Sequence, residues 1–470
     1  MNRPYRTYFI LFFFSILTHL PGITLPLLDH HAWAQTLRAS QSRNYVEDGM
    51  RLLKPRYDYI ETLDHDTAPQ FPLYSYLVAL LYKAFGVHDF LGRVLSAVSA
   101  AFSAVFLYLL AARFLDGKTA FLSGLVFCVI PIRVYFMRAF MPDAMAVLCL
   151  VAGFYFFLRW VDEDRFWPFG LASSLLLTLA PLLKIAYLWL LLAPALYALK
   201  KRGPAFLKDR GFLLFSAVFT LSVAGWYGGA NPGAERSAGF LGQLTSEMAI
   251  VKQWTDPGFW SAHFLSRFPE LLTTYGGLVF FLVGFRKIWK ERNFFPLAWF
   301  GATVLYIMLC GHYGRVHQYV SLPFAPVNAV FIAVGMVFLW KPPLRALCIL
   351  LALSMPVHAA LRIRHWYRPD QAWVLRAGES VQKISAPGDL FFVASPNPPF
   401  YLYHIHRSGW AAPLHGDGMR AFEAALAKGA RFLLVPSGDP NTDWDGARAW
   451  AGERYRVAID DPEFVIYEIR

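Results

Sequence analysis

Two carboxylates stand where apolar stretches of membrane length meet polar chain. Asp29 closes the first, in "LPLLDHHAWAQTLRA", after about twenty residues from Tyr8 to Leu28 without a charge. Asp143 opens another, in "PIRVYFMRAFMPDAMAVLCL", with Arg133 and Arg138 just upstream. A carboxylate in the first turn of a helix is favoured by the helix dipole. Position alone therefore also fits Asp143 as a helix-start charge and Asp29 as a residue that merely stops a span. Two acids at one membrane depth beside arginines point instead to a site, because ionisable groups at that level are costly.

Further groups join them. Lys184, in "TLAPLLKIAYLW", follows Pro181 in apolar surroundings, where a role in binding competes with snorkelling to the interface. "GHYGRVHQYVSLPFAP" adds His312, Arg315, His317, Gln318 and Tyr319, richer in cations than an aromatic belt needs. Asp64, His65 and Asp66 could bind a divalent ion, although such a run is more commonly solvated loop. No histidine or acid spacing is diagnostic of a metal, so a divalent cofactor stays an open expectation. Cys128, Cys149, Cys310 and Cys348 lie inside apolar stretches and read as small core residues.

Acids, bases and aromatics at the outer ends of several spans suit a substrate with an apolar tail, an anionic phosphate and a polar head. Sugar transfer from a polyprenyl phosphate requires this layout. The acceptor hydroxyl needs a base to take its proton. The departing phosphate gains charge that Lys or Arg must stabilise. The reacting sugar carbon becomes oxocarbenium-like, which a nearby carboxylate favours.

The elements that position these residues follow from composition. Of 470 residues 56% are hydrophobic and only 16% charged, against about a quarter in soluble domains. About eleven spans are expected, near 8–28, 92–111, 119–132, 142–158, 167–182, 185–199, 211–228, 271–285, 294–310, 319–339 and 344–361. The net charge of +12 could suggest nucleic acid, but its distribution argues against that. With the N-terminus inside, the short inner segments carry 17 Lys/Arg against 6 Asp/Glu, including "KKRGPAFLKDR" and "RKIWKER". The residues after Leu361 carry 13 of each. Basic density in short loops marks the cytoplasmic side. The charge is a topology signal, with the N-terminus in the cytoplasm and the C-terminal domain periplasmic.

The expected class is a polytopic α-helical membrane protein whose residues 1–361 hold the spans, with outer loops at 29–91 and 229–270. Within the first loop "QFPLYSYLVALLYKAFG" reads as an interfacial or re-entrant helix. Turn-rich "GGANPGAERSAG" and "QWTDPGFW" mark the second. Residues 362–470 read as a small extracytoplasmic α/β domain. "DLFFVA" and "RFLLVP" are its buried strands, "MRAFEAALAKGA" an amphipathic helix and "RVAI…FVIYEI" a terminal hairpin.

The motifs "LLDHHAWAQ", "PQFPLYSYLVALLYKAFG", "RAFMPDAMAV", "LLKIAYLWLLLAP" and "HQYVSLPFAPVNAVFIAVGM" occur in an order that resembles the GT-C glycosyltransferases using polyprenyl-phosphate sugars. That group holds protein O-mannosyltransferases and the aminoarabinose transferase that modifies lipid A. "VASPNPPFYLYHIHRSGW" looks like the outer domain of its bacterial members. The resemblance implies a bacterial inner-membrane enzyme, acting with inversion on a lipid, glycan or protein acceptor among membrane lipids. It implies Asp29 as main catalytic carboxylate and Asp143 as second acid. Lys184 and His317 with Tyr319 would lie near the donor phosphate and the cavity mouth; Arg138 and Arg133, by their own position beside Asp143, are further candidates to hold phosphate. Two positions depart from the family's pattern: His30 stands where a second acid is common, and Gln70 where Lys or Glu is common. If that second position holds phosphate in relatives, Lys184 or an arginine must take it over here. The rival reading is a transporter or flippase of lipid-linked sugars. It would place charges and broken helices near the midplane and show repeats between halves, whereas these charges cluster at one face.

Overall fold

The computed structural model describes residues 3–60, 70–230, 252–314, 316–369, 371–437 and 443–470. The chain forms two compact units. One comprises Met1–Ile23, Asp66–Tyr74 and Arg93–Trp366; the other comprises Thr24–His65, Ser75–Gly92 and Tyr367–Arg470.

The first unit is helical and makes this a multi-pass membrane protein. Among the described residues six helices are long and apolar enough to cross a bilayer: Asp89–Ala111, Asp143–Glu163, Phe166–Leu183, Arg210–Gly228, Phe294–Gly311 and Pro342–Tyr367. A seventh crossing is available if the pair Pro257–Thr273 and Tyr275–Lys290, bent by 101°, counts as one span. The other expected spans are present as shorter helices, and prolines or a break explain why. Gly117–Val129 stops before an extended Ile130, because Pro131 opens the next short helix. Phe324–Leu339 starts only after Pro323. The span expected at 185–199 is a 3₁₀ segment, Ile185–Leu191, running into Leu192–Arg202.

Close backbone approach locks part of this bundle. A Cβ on Gly335 would lie 1.9 Å from the Phe280 carbonyl oxygen, and one on Gly284 equally 1.9 Å from that of Phe331. Helices Tyr275–Lys290 and Phe324–Leu339 therefore cross where both lack side chains, as membrane helices do when packing drives their association. At the end of Asp143–Glu163, Arg202 donates to the Trp160 and Val161 carbonyls at 2.9 and 2.7 Å. Arg113 pairs with Asp162 at 2.9 Å. Basic residues of short loops thus satisfy the orphan carbonyls at a helix C-terminus.

The second unit contains a five-stranded sheet in the order β2-β1-β3-β5-β4, formed by Leu390–Val393 (β1), Gly409–Ala411 (β2), Ala430–Pro436 (β3), Arg456–Asp461 (β4) and Phe464–Glu468 (β5). β1 runs parallel to β2 and β3, and β5 is antiparallel to both β3 and β4. The uninterrupted apolar runs of β1 and β3 follow from burial on both faces. Phe391, Phe432 and Ile466 pack on one side with helices Trp373–Ile384 and Pro398–Ile405. Phe392, Leu433 and Val465 pack on the other with Asp417–Ala427 and Trp444–Gly452. The strands, amphipathic helix and hairpin stand where the sequence pattern puts them. β2 and the helices Pro398–Ile405 and Trp444–Gly452 are short, whereas Trp373–Ile384, not among the elements expected, is strongly amphipathic and legible in the sequence.

This unit also takes in most of residues 29–91, which hydropathy assigns to the membrane part. The reason is an edge contact. The Gly409 N–H donates to the Asp58 carbonyl at 2.9 Å and the Ile60 N–H to the Gly409 carbonyl at 2.8 Å, so the first outer loop extends the sheet at β2. Leu28 joins the core of the same sheet. Helix Leu73–Phe85 is one of the shorter apolar helices, with 13 residues.

Candidate active site

In the first unit the chain brings Asp143, Lys184 and Tyr319 together from three separate connections. Asp143 is the first residue of helix Asp143–Glu163, where Met137–Pro142 interrupt the helical course after Pro131–Phe136. Its carboxylate is buried, at the positive end of the helix dipole. Oδ1 lies 3.2 Å from Lys184 Nζ. Oδ2 is buried and has no hydrogen-bond partner among the described residues.

Lys184 is placed by a helix break. Leu171–Leu183 ends at Lys184 in an extended conformation (φ −149°, ψ 96°), with Pro181 in its last turn. The carbonyls freed there are satisfied from outside the helix. Tyr227 donates its hydroxyl to the Pro181 and Leu182 oxygens at 3.2 and 2.9 Å, and the Phe71 N–H reaches the Leu182 oxygen at 3.0 Å. Gln70, the neighbour of Phe71, is thereby tied through the backbone to the same break. Lys184 Nζ sits 4.9 Å from the centre of the Tyr319 ring, a cation–π contact. Tyr319 stacks on His317 with centroids 5.3 Å apart, and meets the edge of Phe136 at 5.6 Å. An ammonium held between a carboxylate and an aromatic face is fixed in place, and a fixed cation can receive an oxyanion.

The two arginines expected beside Asp143 have other partners. Arg138 is fully buried and donates to the Gly22 carbonyl at 2.5 Å, with its guanidinium 5.0 Å from the Tyr135 ring. Arg133 donates to Thr18 Oγ1 at 2.9 Å, to Ser15 Oγ, and to the Cys128 and Ala100 carbonyls at 3.2 and 3.3 Å. These bonds pin the first helix against its neighbours, which describes a packing residue in the bundle.

Asp29 belongs to the second unit. It is buried, and Gln35 donates Nε2 to its Oδ1 at 2.6 Å. The same amide reaches the His30 carbonyl at 3.2 Å. His31, with φ 59°, turns the chain into helix Ala32–Glu47, and its ring lies 4.3 Å from that of His30. The Gln35 amide orients the Asp29 carboxylate. The same helix carries a buried ion pair, Arg43 with Asp58 at 2.7 Å. Burial pushes the Asp58 carboxyl up, while Arg43 and Asn44 pull it back. Arg43 also stacks 4.8 Å from the Tyr403 ring, and Tyr403 donates its hydroxyl to Asp89. This network clamps the outer loop onto the sheet.

Sequence reasoning missed Arg43, Asp58, Arg93 and Tyr187. Arg93 is fully buried and joins Arg138 on the Gly22 carbonyl, at 2.8 Å. Tyr187 lies three residues after Lys184, a spacing that could have raised it once a 3₁₀ turn was suspected. Asp64, His65, Asp66 and Arg315 lie outside the described residues, as do the His312 side chain and most of "GGANPGAERSAG". Among the described residues no three His, Cys, Asp or Glu gather as a metal site would require.

Residues 67–227 match the family described as dolichyl-phosphate-mannose-protein mannosyltransferase, a segment that includes Gln70, Asp143 and Lys184. No curated protein matches the sequence. The structure is similar to ArnT from Cupriavidus metallidurans bound to undecaprenyl phosphate, with a TM-score of 0.65 and 13% identity over 98% of each chain. It is also similar to the Archaeoglobus fulgidus oligosaccharyltransferase in complex with zinc and sulfate, at a TM-score of 0.58 and 13% identity over 92% of this chain and 68% of that one. AglB of the same organism, in complex with an inhibitory peptide and a dolichol-phosphate, gives a TM-score of 0.58 at 12% identity over 93% and 69%. The chain thus shares the fold of these proteins, over nearly its whole length in the case of ArnT, and its match to the mannosyltransferase family model is confined to residues 67–227.

Proposed function

We propose that this chain is a glycosyltransferase of a bacterial inner membrane. It moves a sugar from a polyprenyl-phosphate donor to a lipid, glycan or protein acceptor at the periplasmic face, with its N-terminus cytoplasmic. The observation that carries the reading is the buried Asp143–Lys184 pair under Tyr319, a fixed cation in an apolar helical bundle. A polyprenyl tail is soluble in such surroundings, and its phosphate needs such a cation. Structures of the same fold hold undecaprenyl phosphate in one case and dolichol-phosphate in another, which supports the same donor class here.

In the proposed step Asp29 takes the proton of the acceptor hydroxyl, and the oxygen bonds to the anomeric carbon as the carbon–phosphate oxygen bond breaks. Polyprenyl phosphate leaves with the electron pair, and Lys184 stabilises its gain of charge. One displacement inverts the anomeric centre. Asp143 holds Lys184 in place. Tyr319 and His317 line the cation, and Gln70 and Arg138 are further candidates for the phosphate path. The test is sugar transfer by the purified protein in detergent from undecaprenyl-phosphate-linked donors. Loss in Lys184→Met and in Asp29→Asn supports the assignment, and wild-type rates in both would overturn it. Mass spectrometry of envelope glycolipids and glycans with and without the protein identifies the transferred sugar and its acceptor.

A further inference from the structure

Tyr187 is enclosed by protein, with 2% of its surface exposed, yet its hydroxyl has no hydrogen-bond partner among the described residues. Asp143 has the complementary deficit: Lys184 occupies Oδ1, and Oδ2 is buried without a partner. Both atoms are buried, and they do not bond one another. Tyr187 reaches this position from the helix break. Its N–H donates to the Lys184 carbonyl at 2.8 Å, and Lys184 Nζ in turn lies 3.2 Å from Asp143. The ring is braced edge-on by Tyr306, centroids 6.0 Å apart, and Tyr306 is anchored by its own hydroxyl on the Val320 carbonyl at 2.9 Å.

A buried donor and a buried acceptor each cost desolvation unless something fills them. The chemistry of the filling group is constrained. A phosphate oxygen accepts only; it would suit Tyr187 and be repelled by Asp143. An ammonium donates only; it would suit Asp143 and leave Tyr187 unfilled. A hydroxyl does both, accepting from Tyr187 and donating to Oδ2 of Asp143. We infer that Tyr187 and the second carboxylate oxygen of Asp143 form a subsite for one hydroxyl of the donor sugar, beside the lysine that takes its phosphate. The inference rests on the proposed transferase function and deepens it. Sugar selection then sits in the helical unit that holds Asp143 and Lys184. A site built to bond a hydroxyl rejects the analogue that lacks it far more strongly than an apolar pocket discriminates by size.

The experiment compares Tyr187→Phe with wild type in the full-length protein. The donors are undecaprenyl phosphate carrying mannose or a 4-amino-pentose, whichever the wild type transfers, and the monodeoxy versions of that donor. Sugar-free undecaprenyl phosphate is the binding control. Tyr187→Phe is expected to lower kcat/KM on the intact donor by about tenfold to a hundredfold. It should lose little on the one deoxy donor that lacks the recognised hydroxyl, bind sugar-free undecaprenyl phosphate as wild type does, and melt no earlier than wild type. Wild-type kcat/KM in Tyr187→Phe would overturn the subsite. So would an equal loss on every deoxy donor, or a matching loss in binding the sugar-free lipid, which would make Tyr187 a phosphate ligand. Wild-type protein that transfers no sugar from any donor would instead overturn the transferase reading, and the subsite with it.

Discussion

Replacing Lys184 by Met tests whether the ion pair at the helix break is built as described. The two side chains are 16% and 3% exposed, so water screens the pair poorly. Removing one partner of such a pair strands a buried charge, at about 3–5 kcal/mol. Asp143 retains the helix dipole, worth roughly 0.3–1 kcal/mol. The net expectation for Lys184→Met is a loss of about 2–4 kcal/mol. Met keeps most of the aliphatic volume, so packing contributes little of this. In Asp143→Asn with Lys184→Met no charge remains, and the double variant should recover most of the lost stability. Denaturant unfolding in detergent, followed by tryptophan fluorescence, measures all four corners of the cycle. The coupling should come out at about 2 kcal/mol or more. Activity should behave differently: both Lys184→Met and the double variant should lose about 10²- to 10³-fold in kcat, because the phosphate cation is missing from each. A Lys184→Met protein as stable as wild type would refute the argument, as would a double variant no more stable than the worse single one.

Asp29→Asn should cut sugar transfer by about 10²- to 10⁴-fold with folding retained, since the asparagine oxygen can still accept from Gln35; transfer rates and melting curves check both halves. Gly335→Ala places a methyl against the Phe280 carbonyl, and should cost at least about 1–3 kcal/mol in the same unfolding assay. His404, outside the membrane in the sheet unit, is pushed down from 6.5 to about 4, chiefly by burial. Its neutral form is the folded form, so its contribution is complete above pH 6.5 and is lost as pH falls towards 4, up to about 3 kcal/mol. His404→Phe should flatten the fall in melting temperature between those pH values, and an unchanged fall would show that other groups cause it.

Hydropathy made the helices legible, because lipid-facing and core-facing residues are apolar in unbroken runs that any local window detects. The basic short loops followed the same logic, and the structure shows Arg202 and Arg113 engaged on helix-end groups. The strands β1 and β3 and the terminal hairpin were legible from burial pattern alone. Arg133 shows the limit: the sequence puts it near Asp143, but does not show that its two terminal nitrogens reach Ser15, Thr18 and two carbonyls. A side chain's direction depends on the helix phase and on what packs opposite, and neither is encoded locally.

By itself the sequence determined a polytopic helical chain with a small α/β domain, and a short roster of ionisable residues that apolar surroundings make expensive. Only the tertiary structure decided which of them meet. Lys184 faces Asp143 because Pro181 and the capping of freed carbonyls by Tyr227 and Phe71 stabilise a break between helices. Tyr319 arrives from a connection far along the chain, and Tyr187 turns inward because a 3₁₀ turn follows the lysine. Such meetings are set by long-range packing, where a few degrees of helix rotation exchange one partner for another.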